Sequence, residues 1–169
     1  MCSEIAITIE TRSTTIKNCT QIVENVYIGD KNSINDDVFD LIVNSTKYVD
    51  YPEYLEKNKR ITLFTKKYNN KYFDPLSNFH LFHRILDKNV LENINKKVMN
   101  NEKVLIFCCN GNESSCAIAA CYLIKYHNMS IETAINHIKS ICVNAFVNDV
   151  YYINTITMFE SHLNKNFKL

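Results

Sequence analysis

Residues 103–127 read KVLIFCCNGNESSCAIAACYLIKYH, and a strand, a loop and a helix can be predicted from this one segment. The apolar run from Val104 to Phe107 predicts a buried strand, and the apolar segment after Ser115 predicts a helix. The residues between them form a tight loop at the helix N-terminus. Because the first N–H groups of a helix lack internal partners and its dipole favours negative charge, such a loop suits an anion or a nucleophile. Cys108 lies at this position.

The composition indicates one folded domain. The chain has 169 residues, of which 46% are hydrophobic, and a formal net charge of +1. This length suits a single core, and the balanced charge gives no indication of a nucleic-acid partner. No segment approaches the ~20 apolar residues of a membrane span, and the N-terminus lacks the pattern of a signal peptide. We therefore expect an intracellular, cytoplasmic protein without a membrane or nucleic-acid partner.

The seven cysteines are irregularly spaced and odd in number, which favours reduced thiols over a disulfide framework. Their spacing matches no zinc-ligand pattern, so we expect neither a metal nor another cofactor. Cys108 and Cys109 have a simpler interpretation as small buried residues at a strand end. A further alternative is that Cys109, Cys116 or Cys121 acts as a resolving thiol for Cys108.

Apolar periodicity along the rest of the chain predicts an α/β domain, with a central mixed sheet flanked by helices. The predicted strands are 4–10, 22–30, 39–47 and 59–65, and the predicted helices are 33–38, 76–99, 115–127, 130–141 and 150–163. Residues 1–20 are assigned to an N-terminal extension with an extra strand, and residues 21–169 to the domain. The extra strand can pair within the sheet or with a second copy of the chain, so a homodimer is one possibility.

Several segments, in this order, resemble the dual specificity protein phosphatases of the cysteine-dependent phosphatase superfamily. IVENVYIGD at 22–30 resembles an early strand that ends in Tyr-Leu-Gly, and FDLIVNSTK at 39–47 resembles the Val-Ile-Asn-x-Thr strand. KVLIFCCNG at 103–111 resembles the catalytic loop, and residues 117–140 resemble the two helices that follow it. The resemblance implies the family fold over roughly residues 20–165. The Asn, Lys and Ile bias is typical of AT-rich genomes, and the compact size of the domain resembles the phosphatases of large DNA viruses.

The family signature is His-Cys-x-x-Gly-x-x-Arg-Ser/Thr. It falls on one continuous stretch, whose residues are Phe107, Cys108, Cys109, Asn110, Gly111, Asn112, Glu113, Ser114 and Ser115. The resemblance implies that residues 108–115 form a phosphate-binding loop. It also implies that Cys108 is the nucleophile and that Ser115 donates a hydrogen bond to its thiolate. Phe107 stands in place of the histidine and Ser114 in place of the arginine.

These two replacements predict a loss of phosphatase activity. In the family the arginine binds two phosphate oxygens and stabilises the transition state, a contribution of ~10³-fold or more in rate. Ser114 is short and neutral, and the carboxylate of Glu113 opposes an anion on the loop. Because Phe107 is apolar, we expect the pKa of Cys108 to be normal or higher.

The general acid of the family corresponds by position to Asp74, for which a plain role at the start of a helix is an equal alternative. We predict a catalytically inactive relative, a pseudophosphatase, that binds a protein partner such as a phosphoprotein. Tyrosines are candidates for the partner surface: Tyr48, Tyr51, Tyr54, Tyr68 and Tyr72.

Two alternatives stay open. The first is a weak protein tyrosine/serine/threonine phosphatase that uses Cys108 as nucleophile. In it a cation elsewhere in the chain replaces the arginine, with Lys66, Lys67 and Arg84 as candidates. The second is a structural or assembly subunit without a ligand, in which Phe107 and its neighbours seal the loop.

Overall fold

Five strands and five helices lie within the residues that the computed structural model describes, which are 18–35, 37–46, 48–64, 77–147 and 152–166. The strands are β1 (Cys19–Val23), β2 (Val26–Gly29), β3 (Leu41–Asn44), β4 (Arg60–Thr62) and β5 (Val104–Phe107). The helices are α1 (Ser77–Asp87), α2 (Val90–Met99), α3 (Ser114–His127), α4 (Ile131–Ile141) and α5 (Ile153–Asn166), with short 3-10 turns at Ser33–Asn35 and Lys57–Lys59. The predicted α/β architecture with a central mixed sheet is confirmed.

The strand order places the loop after β5 at the centre of the sheet. That order is β1-β2-β5-β3-β4, in which β1 and β2 are antiparallel and the other neighbours are parallel. Phe107 at the end of β5 pairs in register with Gly29 of β2 and with Asn44 of β3. The carboxyl ends of parallel strands are where open α/β sheets bind ligands. The loop therefore begins between two neighbouring strand ends.

Strand β5 is buried on both faces of the sheet. Val104 and Ile106 pack into the larger core, which contains the helices. Leu105 and Phe107 pack into a smaller cluster on the other face, with Ile34, Phe39, Ile42 and Leu55. Because successive side chains of a strand point to opposite faces, Phe107 faces away from the helical core.

The prediction of one strand over residues 22–30 is wrong. The chain forms a hairpin there, in which β1 and β2 are joined by a two-residue turn with Asn25 at φ 62°. Short loops with positive φ suit the right-handed twist of paired strands. β1 begins at Cys19, so the last residues assigned to the N-terminal extension belong to the sheet. The predicted strand at 4–10 lies outside the described residues.

The prediction of one helix over residues 76–99 is also wrong. The chain forms α1 and α2 instead, and Asn89 between them is left-handed with φ 47°. The apolar period continues across the break because both helices bury the same face: Ile85 in α1 and Ile94 in α2 are almost fully buried. The apolar periodicity therefore predicts the buried face correctly, but it does not predict the turn at Asn89 between the two helices.

Asparagine occupies most of the left-handed positions in the described residues. Five asparagines have positive φ: Asn18, Asn25, Asn89, Asn101 and Asn128. Asn adopts this conformation more readily than other residues with a side chain. Asn128 ends α3 in this way, and its N–H donates to the carbonyl of Leu123. The next helix begins where predicted, with Ser130 accepting a hydrogen bond from the Thr133 N–H at 3.2 Å.

Candidate functional site

The loop between β5 and α3 surrounds the sulfur of Cys108 with hydrogen-bond donors. The N–H of Gly111 donates to this sulfur at 3.2 Å, and the hydroxyl of Ser115 lies 3.2 Å from it. The backbone N–H groups of Asn110, Glu113 and Ser115 also interact with it. Successive backbone N–H groups that point inward form a concave anion site. The structure thus brings Cys108 and Ser115 together as the resemblance implied.

These donors change the acidity of the thiol. Burial raises the pKa of Cys108, but the hydroxyl of Ser115 and the loop N–H groups outweigh it, so the pKa lies below the ordinary value. Hydrogen bonds to a thiolate favour the charged form. The expectation of a normal or higher pKa was wrong, because it relied on Phe107, whose side chain faces the other side of the sheet.

The carbonyl groups of the loop point outward to neighbouring segments. The Cys109 carbonyl accepts from the N–H of Lys31 at 3.4 Å, and the Asn112 carbonyl accepts from the N–H of Phe146 at 2.7 Å. The Gly111 carbonyl accepts from the thiol of Cys116 at 3.6 Å. These outward bonds hold the loop in the orientation that leaves its N–H groups for the centre.

The two glycines of the chain meet beneath this loop. Gly111 has φ 70°, and a Cβ there would lie 2.8 Å from the backbone carbon of Gly29. A Cβ on Gly29 would lie 2.2 Å from the hydroxyl oxygen of Ser33. The Gly29 carbonyl also accepts from the N–H of Cys108 at 3.2 Å. Gly111 is therefore required both for its conformation and for its close approach to β2.

Ser114, at the arginine position of the signature, does not face the centre of the loop. Its side chain is buried, with Oγ 2.9 Å from the Ser45 hydroxyl, and it donates to the Ser45 carbonyl at 3.2 Å. The Ser45 hydroxyl in turn donates to the carbonyl of Phe107 at 2.8 Å. The two serines form a buried hydrogen-bonded pair between the end of β3 and the start of α3. Sequence reasoning missed Ser45, because no local pattern marks it.

Phe107, at the histidine position, packs against Tyr51 and does not cover the loop. Their ring centroids are 6.2 Å apart in an edge arrangement. The Tyr51 hydroxyl accepts from the Asn44 N–H at 3.1 Å and lies 2.6 Å from the Ile61 carbonyl. Burial, opposed by these hydrogen bonds, raises the pKa of Tyr51 to about 12. Tyr51 thus ties β3 to β4 and has a structural role.

Exposed apolar side chains flank the loop on two sides. Thr46 Oγ1 lies 3.1 Å from the sulfur of Cys109 and accepts from the N–H of Tyr48, whose side chain is 72% exposed. On the other side, the N–H of Phe146 donates to the Asn112 carbonyl of the loop, and Phe146 has φ 58°. The side chains of Val143 and Val147, near Phe146 in the chain, are 92% and 64% exposed. Among the predicted tyrosines, Tyr54 is also exposed. Both flanks are connected to the loop by hydrogen bonds.

Some predicted residues lie outside the described part of the chain: Asp74, Lys66, Lys67, Tyr68 and Tyr72. The assignment of Asp74 as general acid therefore stays a prediction. Arg84 lies on α1 and is half-buried. Within the described residues, no group of three His, Cys, Asp or Glu side chains is placed to hold a metal. No helix in the same ranges is long and apolar enough to cross a membrane.

Comparisons with known proteins agree on one family. The family model of the dual specificity phosphatase catalytic domain matches residues 21–162. Human DUSP28 is 15% identical, covers 87% of this chain and 95% of its own, and has a TM-score of 0.67. A leucine rich repeat and phosphatase domain containing protein from Entamoeba histolytica is 19% identical, with coverages of 88% and 94% and a TM-score of 0.62. The human tyrosine phosphatase-like serine/threonine/tyrosine-interacting protein is 12% identical, with coverages of 86% and 97% and a TM-score of 0.65. A comparison with curated proteins finds no match.

Proposed function

Because this chain belongs to the dual specificity phosphatase family, we propose that it is a pseudophosphatase that binds a protein partner, such as a phosphoprotein, without turning over a phosphoester. One observation carries the proposal. The residue at the arginine position, Ser114, is buried and hydrogen-bonded to Ser45 at 2.9 Å.

Ser114 cannot perform the task of an arginine. A guanidinium binds two phosphate oxygens at once and neutralises the charge that develops in the transition state. The hydroxyl of Ser114 is neutral, and both of its contacts are with Ser45. Glu113 places a carboxylate one residue earlier on the same loop. By comparison with other charge-stabilising groups, we expect a loss of ~10³-fold or more in rate.

The loop retains N–H donors that favour binding of an anion, although it lacks the arginine that would stabilise a transition state. Its inward N–H groups and the N-terminus of α3 favour a negative group, as they do the thiolate of Cys108. The exposed side chains of Tyr48, Val143 and Val147 lie on segments that flank the loop, and apolar and aromatic groups of this kind are common in protein interfaces. A phosphorylated or acidic segment of a protein is therefore the ligand that we propose. One structural neighbour, the human tyrosine phosphatase-like serine/threonine/tyrosine-interacting protein, is by its name a phosphatase-like protein that interacts with another, which is consistent with this class.

The test of inactivity is turnover of an aryl phosphate and of a phosphotyrosine peptide. We expect no phosphate release above that of Cys108→Ser. Release by the wild-type chain that Cys108→Ser abolishes would refute the proposal.

The test of binding uses protection of Cys108 from iodoacetamide. A phosphotyrosine peptide that occupies the loop should slow alkylation of Cys108, and its unphosphorylated form should not. Equal alkylation of Cys108 with and without the phosphopeptide would contradict loop binding.

Restoring the family residues tests whether the chain lacks only those catalytic side chains or also lacks a pocket that supports catalysis. The triple variant Phe107→His, Glu113→Ser, Ser114→Arg restores the signature, and Cys108→Ser in the same background is its control. Phosphate release that depends on Cys108 would show that the scaffold supports catalysis once the arginine is present. No release would show that the general acid or the pocket has also diverged.

One observation favours a second candidate, a weak phosphatase: the pKa of Cys108 lies below its ordinary value even though burial opposes this. A thiolate is the form that attacks phosphorus. If this candidate is correct, an acid quench of the chain with an aryl phosphate should trap a phosphate group on Cys108. A Cys108 peptide of unchanged mass would exclude it.

A further inference from the structure

The phosphate-binding loop contains the one Asn-Gly pair of the sequence, Asn110 and Gly111. In such a pair the backbone nitrogen of the glycine follows directly on the asparagine, and no Cβ on the glycine hinders its approach to the carboxamide carbon. The side chain of Asn110 is exposed and forms no hydrogen bond within the described residues. The pair therefore has the components of a succinimide, the cyclic imide through which asparagine loses ammonia.

A proton acceptor is in contact with the nitrogen that has to react. The N–H of Gly111 donates to the sulfur of Cys108 at 3.2 Å. The nitrogen attacks only as it gives up this proton, and a group that takes the proton must lie within about 2.6–3.2 Å of the nitrogen. The sulfur meets this distance. The hydroxyl of Ser115, 3.2 Å from the sulfur, and the loop N–H groups favour its thiolate form, which is the form that accepts a proton.

We propose that Asn110 is a self-deamidation site in which the thiolate of Cys108 removes the proton of the Gly111 amide. The Gly111 nitrogen bonds to Cγ of Asn110, and the carboxamide nitrogen recovers the proton from Cys108 and leaves as ammonia. Water then adds to one carbonyl of the succinimide and breaks one C–N bond, which gives aspartate or isoaspartate at position 110. Water is consumed and ammonia is released, and no atom is oxidised or reduced.

The reaction changes the loop in three ways. In the succinimide the Gly111 nitrogen carries no hydrogen, so Cys108 loses the donor at 3.2 Å. Both products add a carboxylate to a loop that already carries Glu113, and negative charge there opposes a thiolate and a bound anion. Isoaspartate also lengthens the backbone beside Gly111, where the loop packs tightly against β2. The loss of anion binding rests on the proposed function, whereas the reaction itself does not.

The experiment follows the mass of tryptic peptide 104–125 while the folded chain is incubated at pH 7. Fragmentation between Gly111 and Asn112 assigns each new acid to Asn110 or to Asn112, and a sample taken at the start measures deamidation during digestion. Asn112 is the internal control, because a glutamate follows it. We expect conversion at Asn110 and not at Asn112. Hydroxylamine, which attacks a succinimide, should cleave the folded chain between residues 110 and 111. An Asn110 that keeps its amide in the folded chain, while the chain unfolded in urea is converted, would overturn the proposal.

Cys108→Ser tests the proton acceptor, because a hydroxyl of similar size stays neutral at pH 7. It should slow conversion at least tenfold, since positioned acids and bases typically contribute ~10²–10⁴-fold. A loosened loop would react faster, so a slower reaction is not explained by disorder. Conversion of Cys108→Ser at the wild-type rate or faster would overturn the proposal.

A second variant keeps the test decisive if Cys108→Ser does not fold. Ser115→Ala should also slow conversion, because it removes a hydrogen bond that favours the thiolate. Ser114→Ala is its matched control and should not, since that hydroxyl contacts Ser45. Equal rates in the wild type and Ser115→Ala would overturn the role of Cys108. Protection of Cys108 by a phosphopeptide is a separate measurement, so failure of the proposed function and failure of this inference are distinguishable.

Discussion

Removal of the Ser115 hydroxyl should weaken the thiolate of Cys108. Ser115→Ala deletes the side-chain oxygen that lies 3.2 Å from this sulfur and leaves the loop N–H groups in place. Hydrogen bonds to charged groups are worth about 1.5–3 kcal/mol in a buried site. At 1.36 kcal/mol for each tenfold change, this corresponds to about a 10- to 150-fold lower ratio of thiolate to thiol at a given pH. The pKa of Cys108 should therefore rise.

The assay is the pH dependence of iodoacetamide alkylation at Cys108, followed by peptide mass spectrometry. The midpoint should move to higher pH in Ser115→Ala, because alkylation requires the thiolate. Ser114→Ala is the matched control: it removes the adjacent hydroxyl, which contacts Ser45 and not Cys108. The reasoning is refuted if the profile of Ser115→Ala coincides with the wild type, or if Ser114→Ala shifts the profile equally.

Three further predictions concern the backbone and the thiol of Cys142. Gly111→Ala should lower the free energy of unfolding in urea by about 1–3 kcal/mol, since φ is 70° and the new Cβ meets β2; unchanged stability would contradict the close contact. Asn128→Ala should cost about 1 kcal/mol in the same assay, whereas Asn128→Gly should not, because only Ala resists the left-handed φ of 53°; equal losses would point to the side-chain amide instead. Alkylation of Cys142 should have its midpoint near pH 6 and increase above it, and Cys116→Ala should move that midpoint upward; an unmoved midpoint would mean that Cys116 does not set it.

The sequence was most informative where a local pattern determines the structure. The stretch 103–127 forms β5, the loop and α3 in the predicted order, because an apolar run followed by a helical segment leaves few other arrangements. The start of the predicted helix at 130–141 is correct for a similar reason, since the hydroxyl of Ser130 accepts a hydrogen bond from an N–H only three residues ahead.

The sequence was less informative where the interaction is long-range. The contact between Ser114 and Ser45 depends on β3 and β5 being neighbours in the sheet, which composition and period do not specify. The direction of Phe107 is a related case: the alternation of β5 sends it to the face opposite the helical core, so its effect on Cys108 was overestimated.

The support of the loop leaves a signal in the sequence. A glycine at a strand end, such as Gly29, is typical of a turn, but in the structure Gly29 leaves space for Ser33 and its backbone contacts Gly111. In a chain with two glycines, the pairing of one with the other was the stronger indication.

Asparagine and glycine meet different constraints in the described part of this chain, one on the backbone angle and one on volume. Five left-handed positions tolerate a side chain and are occupied by asparagine, so they limit only the backbone angle. The two glycines lie where neighbouring atoms leave no room for a Cβ, so both limit volume, and Gly111 at φ 70° limits the backbone angle as well. A library of substitutions should therefore accept glycine at the asparagine positions and reject asparagine at both glycines. In such a library the pattern of rejected substitutions would reveal the tight packing beneath the loop, although the loop has serine at the arginine position of the signature.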